Sequence, residues 1–364
     1  MSDVLSEVRG SVGFITLNRP RALNALSLDM IRELTRVLLA WQADDAVQAV
    51  AIRGSHKDGV FGAFCAGGDI RFFHQAALGG DSRLEDFFTE EYSLNHLIHH
   101  YGKPYIAFMD GIVMGGGMGI SQGASLRIVT ERTKMAMPET NIGLFPDVGG
   151  GYFLSRCPGH VGEYLALTGQ VIDGPQALTW TLADAVLPAS ALPVLWDKVG
   201  SLPRLPLEEF TAWIAAEIEA MKVQEARGTS QFDSELDRIF ALDSVAQIIE
   251  ALEASPSEVV RGVGQVLRQR SPLMLHVVLE QIRRARHLNL ADDLRLERDL
   301  VRHCFQLRPG AASETVEGVR ALAVDKDHQP RWNPARIEDV RAEDWQAFFV
   351  SPWPTWAHPL RDLR

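Results

Sequence analysis

Short apolar runs alternate with amphipathic segments up to residue 200. Runs rich in β-branched and aromatic residues and bounded by turn formers predict strands at 11–18, 49–53, 105–109 and 126–129. Ser27 is a plausible N-cap, and after it apolar side chains recur at helical spacing: Met30, Ile31, Leu34, Val37, Leu38 and Trp41. Because strands alternate with helical segments, the sequence predicts an α/β fold.

The pattern changes near residue 200 and becomes mostly helical. Pro203, Pro206 and Gly228 punctuate this part, and apolar periodicity predicts helices at 207–223, 244–252, 257–267, 272–286 and 292–304. We therefore predict two regions, a core at 1–200 and a helical C-terminal region at 201–364. The tail after Asp327 carries Trp332, Trp345, Trp353 and Trp356, which we expect to pack as a C-terminal arm.

Composition and charge exclude several function classes. With 46% hydrophobic and 23% charged residues the chain resembles an ordinary globular protein, and no apolar run is long enough to span a bilayer. A net charge of −11 argues against a surface that follows nucleic-acid phosphates. The N-terminus shows neither a secretory leader nor a transit segment, and the 3 cysteines are too scattered for a disulfide framework. We therefore expect a cytoplasmic protein without membrane or nucleic-acid partners.

Two glycine-rich turns are the first candidates for chemistry. Gly115-Gly116-Gly117 follows a predicted strand and opens a predicted helix, and Gly67-Gly68 lies in an earlier turn. Glycine lets the backbone turn tightly and brings N–H groups close to a ligand. One such run alone is usually a plain turn, but two of them can supply both donors of an oxyanion hole.

Two carboxylates on the segment 136–151 are the second candidates. Glu139 and Asp147 lie on a stretch punctuated by glycine and proline. Taken singly, Glu139 could start a helix and Asp147 could cap one. Together on one loop they indicate reactive groups, because loops on a rigid scaffold often carry them. Two N–H turns and two acids predict acyl chemistry through an oxyanion.

Other motifs carry less weight. Gly119-Ile120-Ser121-Gln122-Gly123 matches the serine-nucleophile pattern, but the predicted turn at 115–117 places Ser121 about one turn inside a helix. His99-His100 lacks metal-ligand spacing, and Cys65 is expected to be a small packing residue. The usual nucleotide phosphate motifs are absent from the sequence. We expect no metal site.

Three sequence blocks are 17–26, with Asn18-Arg19-Pro20-Arg21-Ala22; 64–70, with Cys65-Ala66-Gly67-Gly68-Asp69; and 114–117. With these blocks the chain resembles the crotonase (enoyl-CoA hydratase/isomerase) superfamily. A second set of blocks, at 90–92, 137–140, 145–153, 317–321 and 325–327, resembles a branch of acyl-CoA thioester hydrolases that acts on 3-hydroxyisobutyryl-CoA. The resemblance covers nearly the whole chain and is weakest at 200–255.

The resemblance implies a fold and a set of site residues. The implied fold is a crotonase-like spiral of ββα units followed by a helical C-terminal region. The N–H groups of Gly68 and Gly116 would form the oxyanion hole, and Glu91, Glu139 and Asp147 would face the acyl group. The path for CoA would be lined, mostly by backbone atoms, by Arg21, Ala22, Ala25, Ala66, Asp69 and Ile70. For Glu91, a solvated helix face is an equal alternative.

Departures from the hydratase pattern decide between activities. Hydratases carry a glutamate in the helix after the glycine run, where this chain has Gly119, and they commonly carry glycine where this chain has Asp147. This favours hydrolysis of a short β-hydroxyacyl-CoA in valine breakdown over hydration or isomerisation. A non-catalytic acyl-CoA-binding protein is a third hypothesis, and the presence of both Glu139 and Asp147 argues against it.

The roles of the acids and the assembly state stay open at this point. Glu139 would act as a nucleophile or as a general base, and Asp147 would bind the substrate hydroxyl or assist proton transfer. No cofactor is implied, since CoA is part of the substrate. The resemblance also suggests a homo-oligomer, unless the helical C-terminal region covers the surface that relatives use to form trimers.

Overall fold

The computed structural model describes residues 2–222 and 232–364, which form two compact units. Each unit combines three segments of the chain. The described part of the first comprises 2–68, 94–135 and 172–222, and that of the second comprises 69–93, 136–171 and 232–364. The predicted division into 1–200 and 201–364 stays a prediction.

Strands and helices alternate in the order that the sequence predicts. The strands are β1 (Val4–Arg9), β2 (Val12–Leu17), β3 (Ala49–Gly54), β4 (Tyr105–Met109), β5 (Ile112–Met114), β6 (Leu126–Val129), β7 (Lys134–Ala136) and β8 (Ala185–Val186). The helices are α1 (Leu28–Ala43), α2 (Ile70–Gly79), α3 (Arg83–His99), α4 (Gly116–Gln122), α5 (Gly150–Leu154), α6 (Val161–Thr168), α7 (Gly174–Thr179), α8 (Leu192–Gly200), α9 (Leu207–Met221), α10 (Ser234–Phe240), α11 (Val245–Ala254), α12 (Glu258–Leu267), α13 (Pro272–Ala285), α14 (Leu290–Gln306), α15 (Glu314–Val319) and α16 (Ala342–Gln346).

The first unit is built on a mixed sheet. Its strands follow the order β1-β2-β3-β4-β6-β8; β1 pairs antiparallel with β2, and the other neighbours pair in parallel. In the register, Ile15 lies opposite Ile52, which lies opposite Ala107 on its other side. β4 is buried along its whole length, as expected for a central parallel strand covered on both faces.

Apolar side chains of α8 and α9 pack on this sheet. Trp196 of α8 contacts Phe14 edge to face, with ring centroids 4.6 Å apart, and lies 5.2 Å from the ring of Phe108. Phe210 and Ile214 of α9 belong to the same buried cluster. The core of the first unit is therefore a buried apolar cluster, and it fixes the strands that lead into the glycine turns.

The second unit is mainly helical. Aromatic rings of α2, α3 and α14 form one cluster, in which Phe73 lies 4.7 Å from Phe87 and 4.9 Å from Phe88, and Phe88 lies 5.7 Å from Phe305. Helix α14 also buries ionisable side chains on its inner side, which is rare unless they are paired or functional.

Most predicted elements are confirmed. The four predicted strands are β2, β3, β4 and β6, and Ser27 caps α1 by accepting a 3.3 Å hydrogen bond from the amide of Met30. The predicted C-terminal helices are α9 and α11–α14. Val223, predicted as the last residue of α9, and Gly228 lie outside the described residues.

The expectation that the tail tryptophans pack is wrong for one of them. Trp356 is 79% exposed, whereas Trp332, Trp345 and Trp353 are half-buried. Trp353 lies under the guanidinium of Arg298, 4.9 Å from the ring centroid. Among the helices of 2–222 and 232–364, none has the length and apolar character that spanning a bilayer requires.

Candidate active site

The two glycine turns of the first unit lie against each other. The amide of Met114 donates a 3.0 Å hydrogen bond to the carbonyl of Cys65, and Cys65 also bridges Val113. A Cβ atom built on Gly67, whose φ is +103°, would lie 3.6 Å from the amide nitrogen of Gly116. The predicted pair of turns is therefore brought together by strand-like hydrogen bonds.

The backbone of these turns leaves donors available. In the described part of the chain, the amide N–H groups of Gly68 and Gly116 take part in no hydrogen bond. Gly117 accounts for the close approach, because a Cβ at this position would lie 2.4 Å from the carbonyl oxygen of Cys65. Gly115 is the N-cap of α4, with φ +48°, and the first N–H groups of a helix have no partner within that helix.

Four of the predicted CoA-path residues belong to the first unit. Arg21 is exposed, and Ala22, Ala25 and Ala66 are half-buried. The amide of Ala66 donates a 3.0 Å hydrogen bond to the carbonyl of Leu23, so these four residues lie on two adjoining turns.

The conformation of this turn is fixed from inside. Leu23 and Asn24 both have positive φ. The side-chain amide of Asn24 donates to the carbonyls of Ser55 and Ala63 at 2.8 and 2.9 Å, and asparagine is one of the residues that tolerate this backbone region. The turn is therefore held rigid before any ligand arrives.

Asp69 and Ile70, also predicted for the CoA path, begin the second unit. Asp69 caps α2, where its side chain accepts a 3.4 Å hydrogen bond from the amide of Phe72, and Ile70 opens the helix. The capping contact gives Asp69 a structural role, and its predicted role toward CoA stays a prediction.

The second unit holds the three predicted acids. Glu91 lies on α3, Glu139 begins the 3-10 turn Glu139–Ile142, and Asp147 lies on the turn before α5. They are 2%, 7% and 6% exposed, respectively. The alternative of a solvated helix face for Glu91 is therefore wrong. The alternative of a cap for Asp147 is also wrong, because the N-cap of α5 is Gly149, without a side-chain cap.

Burial and mutual repulsion set the protonation of these acids. Burial raises the pKa of Asp147 to about 7, against the lowering effect of a hydrogen bond from Tyr92. The pKa of Glu139 is raised well above its usual range by burial and then by the charge of Asp147, and that of Glu91 by burial, Asp147 and Glu139. The cluster therefore holds protons near neutral pH, a property typical of acid–base sites.

Two of the carboxyl groups keep an oxygen without a protein partner. Among the described residues, Oε1 of Glu91 and Oε2 of Glu139 are buried and make no hydrogen bond. An unsatisfied buried oxygen costs free energy, and such oxygens recur where a substrate or water completes the site. Glu139 is further fixed by Gly143, whose amide donates to the carbonyls of Glu139 and Thr140.

Tyr92 is a site residue that the sequence reasoning missed. Its hydroxyl donates a 2.9 Å hydrogen bond to Oδ2 of Asp147, and its own pKa is raised well above the usual value by burial and by the charge of Asp147. Tyr92 stands in one of the blocks that carry the family resemblance, next to Glu91, but a tyrosine in a helix has no spacing signal that reveals its partner.

Ser121 and Cys65, the other candidates from the sequence, have structural surroundings rather than catalytic ones. Ser121 lies inside α4 and its hydroxyl donates a 2.8 Å hydrogen bond to the carbonyl of Gly117, so it is not on a nucleophile turn. Cys65 is fully buried, as expected for a packing residue. Across 2–222 and 232–364 there is no group of three or more His, Cys, Asp or Glu side chains that could hold a metal ion.

Known proteins resemble this chain over nearly its whole length. Residues 12–349 match the family described as Enoyl-CoA hydratase/isomerase. The rat protein 3-hydroxyisobutyryl-CoA hydrolase, mitochondrial, is 38% identical over 356 residues, which cover 96% of this chain and 89% of the rat protein.

Solved structures give the same result for the fold. A carnitinyl-CoA dehydratase from Mycobacterium thermoresistibile aligns with a TM-score of 0.81 and 36% identity, covering 97% of this chain and 98% of its own. An enoyl-CoA hydratase from Rhodobacter sphaeroides 2.4.1 aligns with a TM-score of 0.81 and 33% identity, covering 96% of this chain and 98% of the hydratase chain. The likeness extends to the helical C-terminal region as well as to the sheet.

Proposed function

The chain belongs to the enoyl-CoA hydratase/isomerase family, and from that premise we propose that it hydrolyses a short β-hydroxyacyl-CoA thioester, with 3-hydroxyisobutyryl-CoA as the substrate. The products are 3-hydroxyisobutyrate and CoA, a step of valine breakdown. The observation that carries the proposal is the 38% identity over 96% of the chain to the rat hydrolase. The predicted crotonase-like α/β fold class is confirmed by the two similar solved structures.

In the proposed reaction, the N–H groups of Gly68 and Gly116 stabilise the oxyanion of the tetrahedral intermediate. Support comes from their lack of other partners in the described residues and from the contact between their turns. Backbone donors need no reorganisation when charge develops on the carbonyl oxygen, and removing one such donor typically costs about 10²–10³ in rate.

Glu139 is the proposed reactive carboxylate. As a nucleophile, its oxygen bonds to the thioester carbon, the C–S bond breaks, the thiolate leaves and is protonated, and water then opens the mixed anhydride. As a general base, it takes a proton from the water that attacks the same carbon. Both routes need Glu139 in its ionised form, so its raised pKa makes turnover depend on pH.

Asp147 and Glu91 complete the proposed acyl side. Asp147 accepts a hydrogen bond from the substrate hydroxyl or assists proton transfer, since only one of its oxygens accepts from Tyr92. Glu91 faces the acyl group, with its Oε1 unpartnered among the described residues. Arg21, Ala22, Ala25, Ala66, Asp69 and Ile70 are proposed to line the CoA path.

Hydration of an enoyl-CoA is the second candidate, because the two similar solved structures are a dehydratase and a hydratase. Helix α4 argues against it. Its sequence, Gly116-Gly117-Met118-Gly119-Ile120-Ser121-Gln122, contains no ionisable residue, so the helix after the glycine run offers no acid for two-carboxylate hydration. A non-catalytic acyl-CoA-binding protein is disfavoured because three buried acids destabilise a fold that has no use for them.

The test measures thiol release from (S)-3-hydroxyisobutyryl-CoA, with hydration of crotonyl-CoA assayed in parallel. Thiol release without hydration supports the hydrolase, and hydration without thiol release overturns it. Isobutyryl-CoA is the matched control, since it lacks only the hydroxyl that Asp147 is proposed to bind. A site that hydrogen-bonds the hydroxyl is expected to reject this analogue strongly, by up to about 10⁴-fold in kcat/KM.

Compartment and assembly are further parts of the proposal. We keep a cytoplasmic location and a homo-oligomer as predictions. The rat relative is named as mitochondrial, so a location experiment on the native protein decides the first. Sedimentation of the purified chain decides the second.

A further inference from the structure

The turn that presents Asp147 is strained. Val148 has φ +58°, a left-handed conformation that a β-branched residue rarely adopts, and its side chain is only 3% exposed. Strain of this kind persists only where surrounding contacts impose it. Gly149 follows with φ +87°. Something outside the turn must therefore hold it.

Two buried side chains hold the backbone on both sides of Asp147. The side-chain amide of Gln281 donates a 2.7 Å hydrogen bond to the carbonyl of Pro146. On the other side, Oε2 of Glu297 accepts from the amide of Gly149 at 2.7 Å, and Oε1 accepts from that of Gly151 at 3.0 Å. Both side chains are fully buried, so these bonds are made away from competing water.

Asp293 extends the contact by one residue. Its Oδ2 accepts a 2.8 Å hydrogen bond from the backbone amide of Tyr152. The side-chain amide of Gln281 also donates a 3.3 Å hydrogen bond to Oε1 of Glu297. We refer to Gln281, Asp293 and Glu297 as the clamp. Burial raises the pKa of Asp293 to about 7, against the lowering effect of a hydrogen bond with Glu297. The pKa of Glu297 is raised well above its usual range by burial and then by the charge of Asp293.

Helix α14 fixes the partner of Asp147 as well. Arg298, next to Glu297 in the chain, pairs with the carboxylate of Glu85 and donates a 3.0 Å hydrogen bond to the hydroxyl of Thr89. Both acceptors lie on α3, the helix that carries Tyr92. One helix therefore holds the Asp147 turn with one residue and the Tyr92 helix with the next.

We propose that Glu297 is a positioning residue for Asp147, holding the strained turn 146–151 so that the Asp147 carboxylate stays aligned with the Tyr92 hydroxyl. Glu297 acts through the backbone and touches no substrate in this proposal. The catalytic consequence rests on the proposed function, whereas the structural one rests on the hydrogen bonds alone. Capping of helix α5 alone would explain neither the hydrogen bond from Gln281 to the carbonyl of Pro146 nor the positive φ of Val148.

The test begins with Glu297→Gln. Glutamine keeps the volume but has one acceptor oxygen, so its NH2 group faces the N–H of Gly149 or Gly151. An unpaired buried donor of this kind is expected to lower kcat by about 10- to 100-fold, with KM changed less than about threefold. Hydrogen exchange of the peptide 146–152, measured by mass spectrometry without substrate, is expected to speed up by at least about tenfold.

A second substitution makes the test specific. Glycine adopts positive φ without a steric penalty, so Val148→Gly removes the strain that the clamp opposes. Adding Val148→Gly to Glu297→Gln is expected to restore kcat by about tenfold, a rescue that loss of general stability does not predict.

If Glu297→Gln fails to fold, Gln281→Leu provides a second variant. It removes the hydrogen bond to Pro146 at similar volume and is expected to lower kcat and to speed up the exchange of 146–152, as Glu297→Gln would.

The matched control is Glu163→Gln. Glu163 is also buried in the second unit and pairs with Arg286 at 2.6 Å, and among the described residues it makes no hydrogen bond to 146–151. This variant is expected to lower the melting temperature and to leave kcat and the exchange of 146–152 unchanged.

The proposal is overturned if Glu297→Gln leaves exchange of 146–152 unchanged, whatever happens to kcat, or if the double variant shows no rescue. Failure of the proposed function is distinguishable, because the wild type would then release no thiol while Glu297→Gln still accelerated exchange.

Discussion

The hydroxyl of Tyr92 donates a 2.9 Å hydrogen bond to Oδ2 of Asp147, across 55 positions of sequence and between two buried side chains. The bond favours the charged form of Asp147 and thereby offsets part of the effect of burial on its pKa. It also disfavours ionisation of Tyr92, whose pKa lies well above its usual value. In the proposed reaction, Tyr92 therefore lowers the pH at which Asp147 loses its proton.

Tyr92→Phe is expected to move the pH dependence of turnover. Wild-type kcat/KM is expected to rise with pH as Glu139 ionises. Ionisation of Asp147, whose pKa burial raises to about 7, is expected to add a limb of the pH–rate profile near that pH. Without the hydroxyl, the pKa of Asp147 rises further, and the limb moves up by about 0.5–1 pH unit, the equivalent of one hydrogen bond. A pH–rate profile of both proteins measures the shift.

Tyr101→Phe serves as the control for this experiment. Tyr101 is 2% exposed and donates a 2.7 Å hydrogen bond to the backbone carbonyl of Leu38 rather than to a carboxylate. It is expected to leave the limb in place. A limb that stays put in Tyr92→Phe would contradict the role of this bond in setting the pKa.

Glu139→Gln is expected to remove most turnover and to keep CoA affinity. The amide preserves the volume of the buried side chain but is neither a nucleophile nor a base, so kcat is expected to fall by about 10²–10⁴-fold. Thiol release and titration with CoA measure the two properties. Unchanged turnover would contradict the role assigned to Glu139.

A single turnover of the wild type in oxygen-18 water separates the two roles of Glu139. Label found in the Glu139 carboxylate excludes a purely general-base role. Label found only in the product agrees with a general base, or with an anhydride opened at its acyl carbon. The carboxylate must be analysed by mass spectrometry of the peptide that contains residue 139.

Local signals made much of this fold predictable. Ser27 fills its expected N-cap, and the run 105–109 forms a strand because a central parallel strand reads as a continuous apolar run. Gly115 and Gly117 were recognisable because only glycine allows the conformation and the close approach found there.

Long-range partners were not predictable. The burial of Glu91 and the bond from Tyr92 to Asp147 depend on which helices meet, and helical periodicity gives no partner for a polar residue on the inner side. Glu297 and Asp293 lie in a region with an ordinary amphipathic pattern, and the donors that bind them are backbone amides, which leave no trace in the sequence. The sequence thus indicated the acids of the candidate site but not the residues that hold them.

Asp147→Asn is expected to stabilise the protein above pH 4, at the expense of activity. The folded state holds the proton of Asp147 up to about pH 7, whereas the unfolded chain loses it near its ordinary pKa of 3.8. Between these values the folded state binds more protons, so the free energy of unfolding of the wild type falls as pH rises. The variant lacks this titration and can still accept from Tyr92.

Denaturant titrations at pH 4 and pH 8 measure the effect. The variant is expected to gain about 1–3 kcal/mol over the wild type at pH 8 and little at pH 4, where the wild-type acid is neutral. A larger gain at pH 4 than at pH 8 would show that the pKa of Asp147 is lowered by folding rather than raised.

Gly117→Ala is expected to damage the glycine turns, because its Cβ would lie 2.4 Å from the carbonyl oxygen of Cys65. A backbone oxygen cannot yield as a flexible side chain does, so the two turns must move apart. The expected result is a loss of kcat by about 10²-fold or more, comparable to losing one oxyanion donor.

Gly262→Ala is the matched control for this substitution. Gly262 lies inside α12 with no atom within 4 Å of the added Cβ, so the change is expected to stabilise the helix by about 0.5–1 kcal/mol. Thiol release and melting temperature of both variants measure the outcome, and wild-type turnover in Gly117→Ala would show that the spacing of the turns is not needed for the reaction.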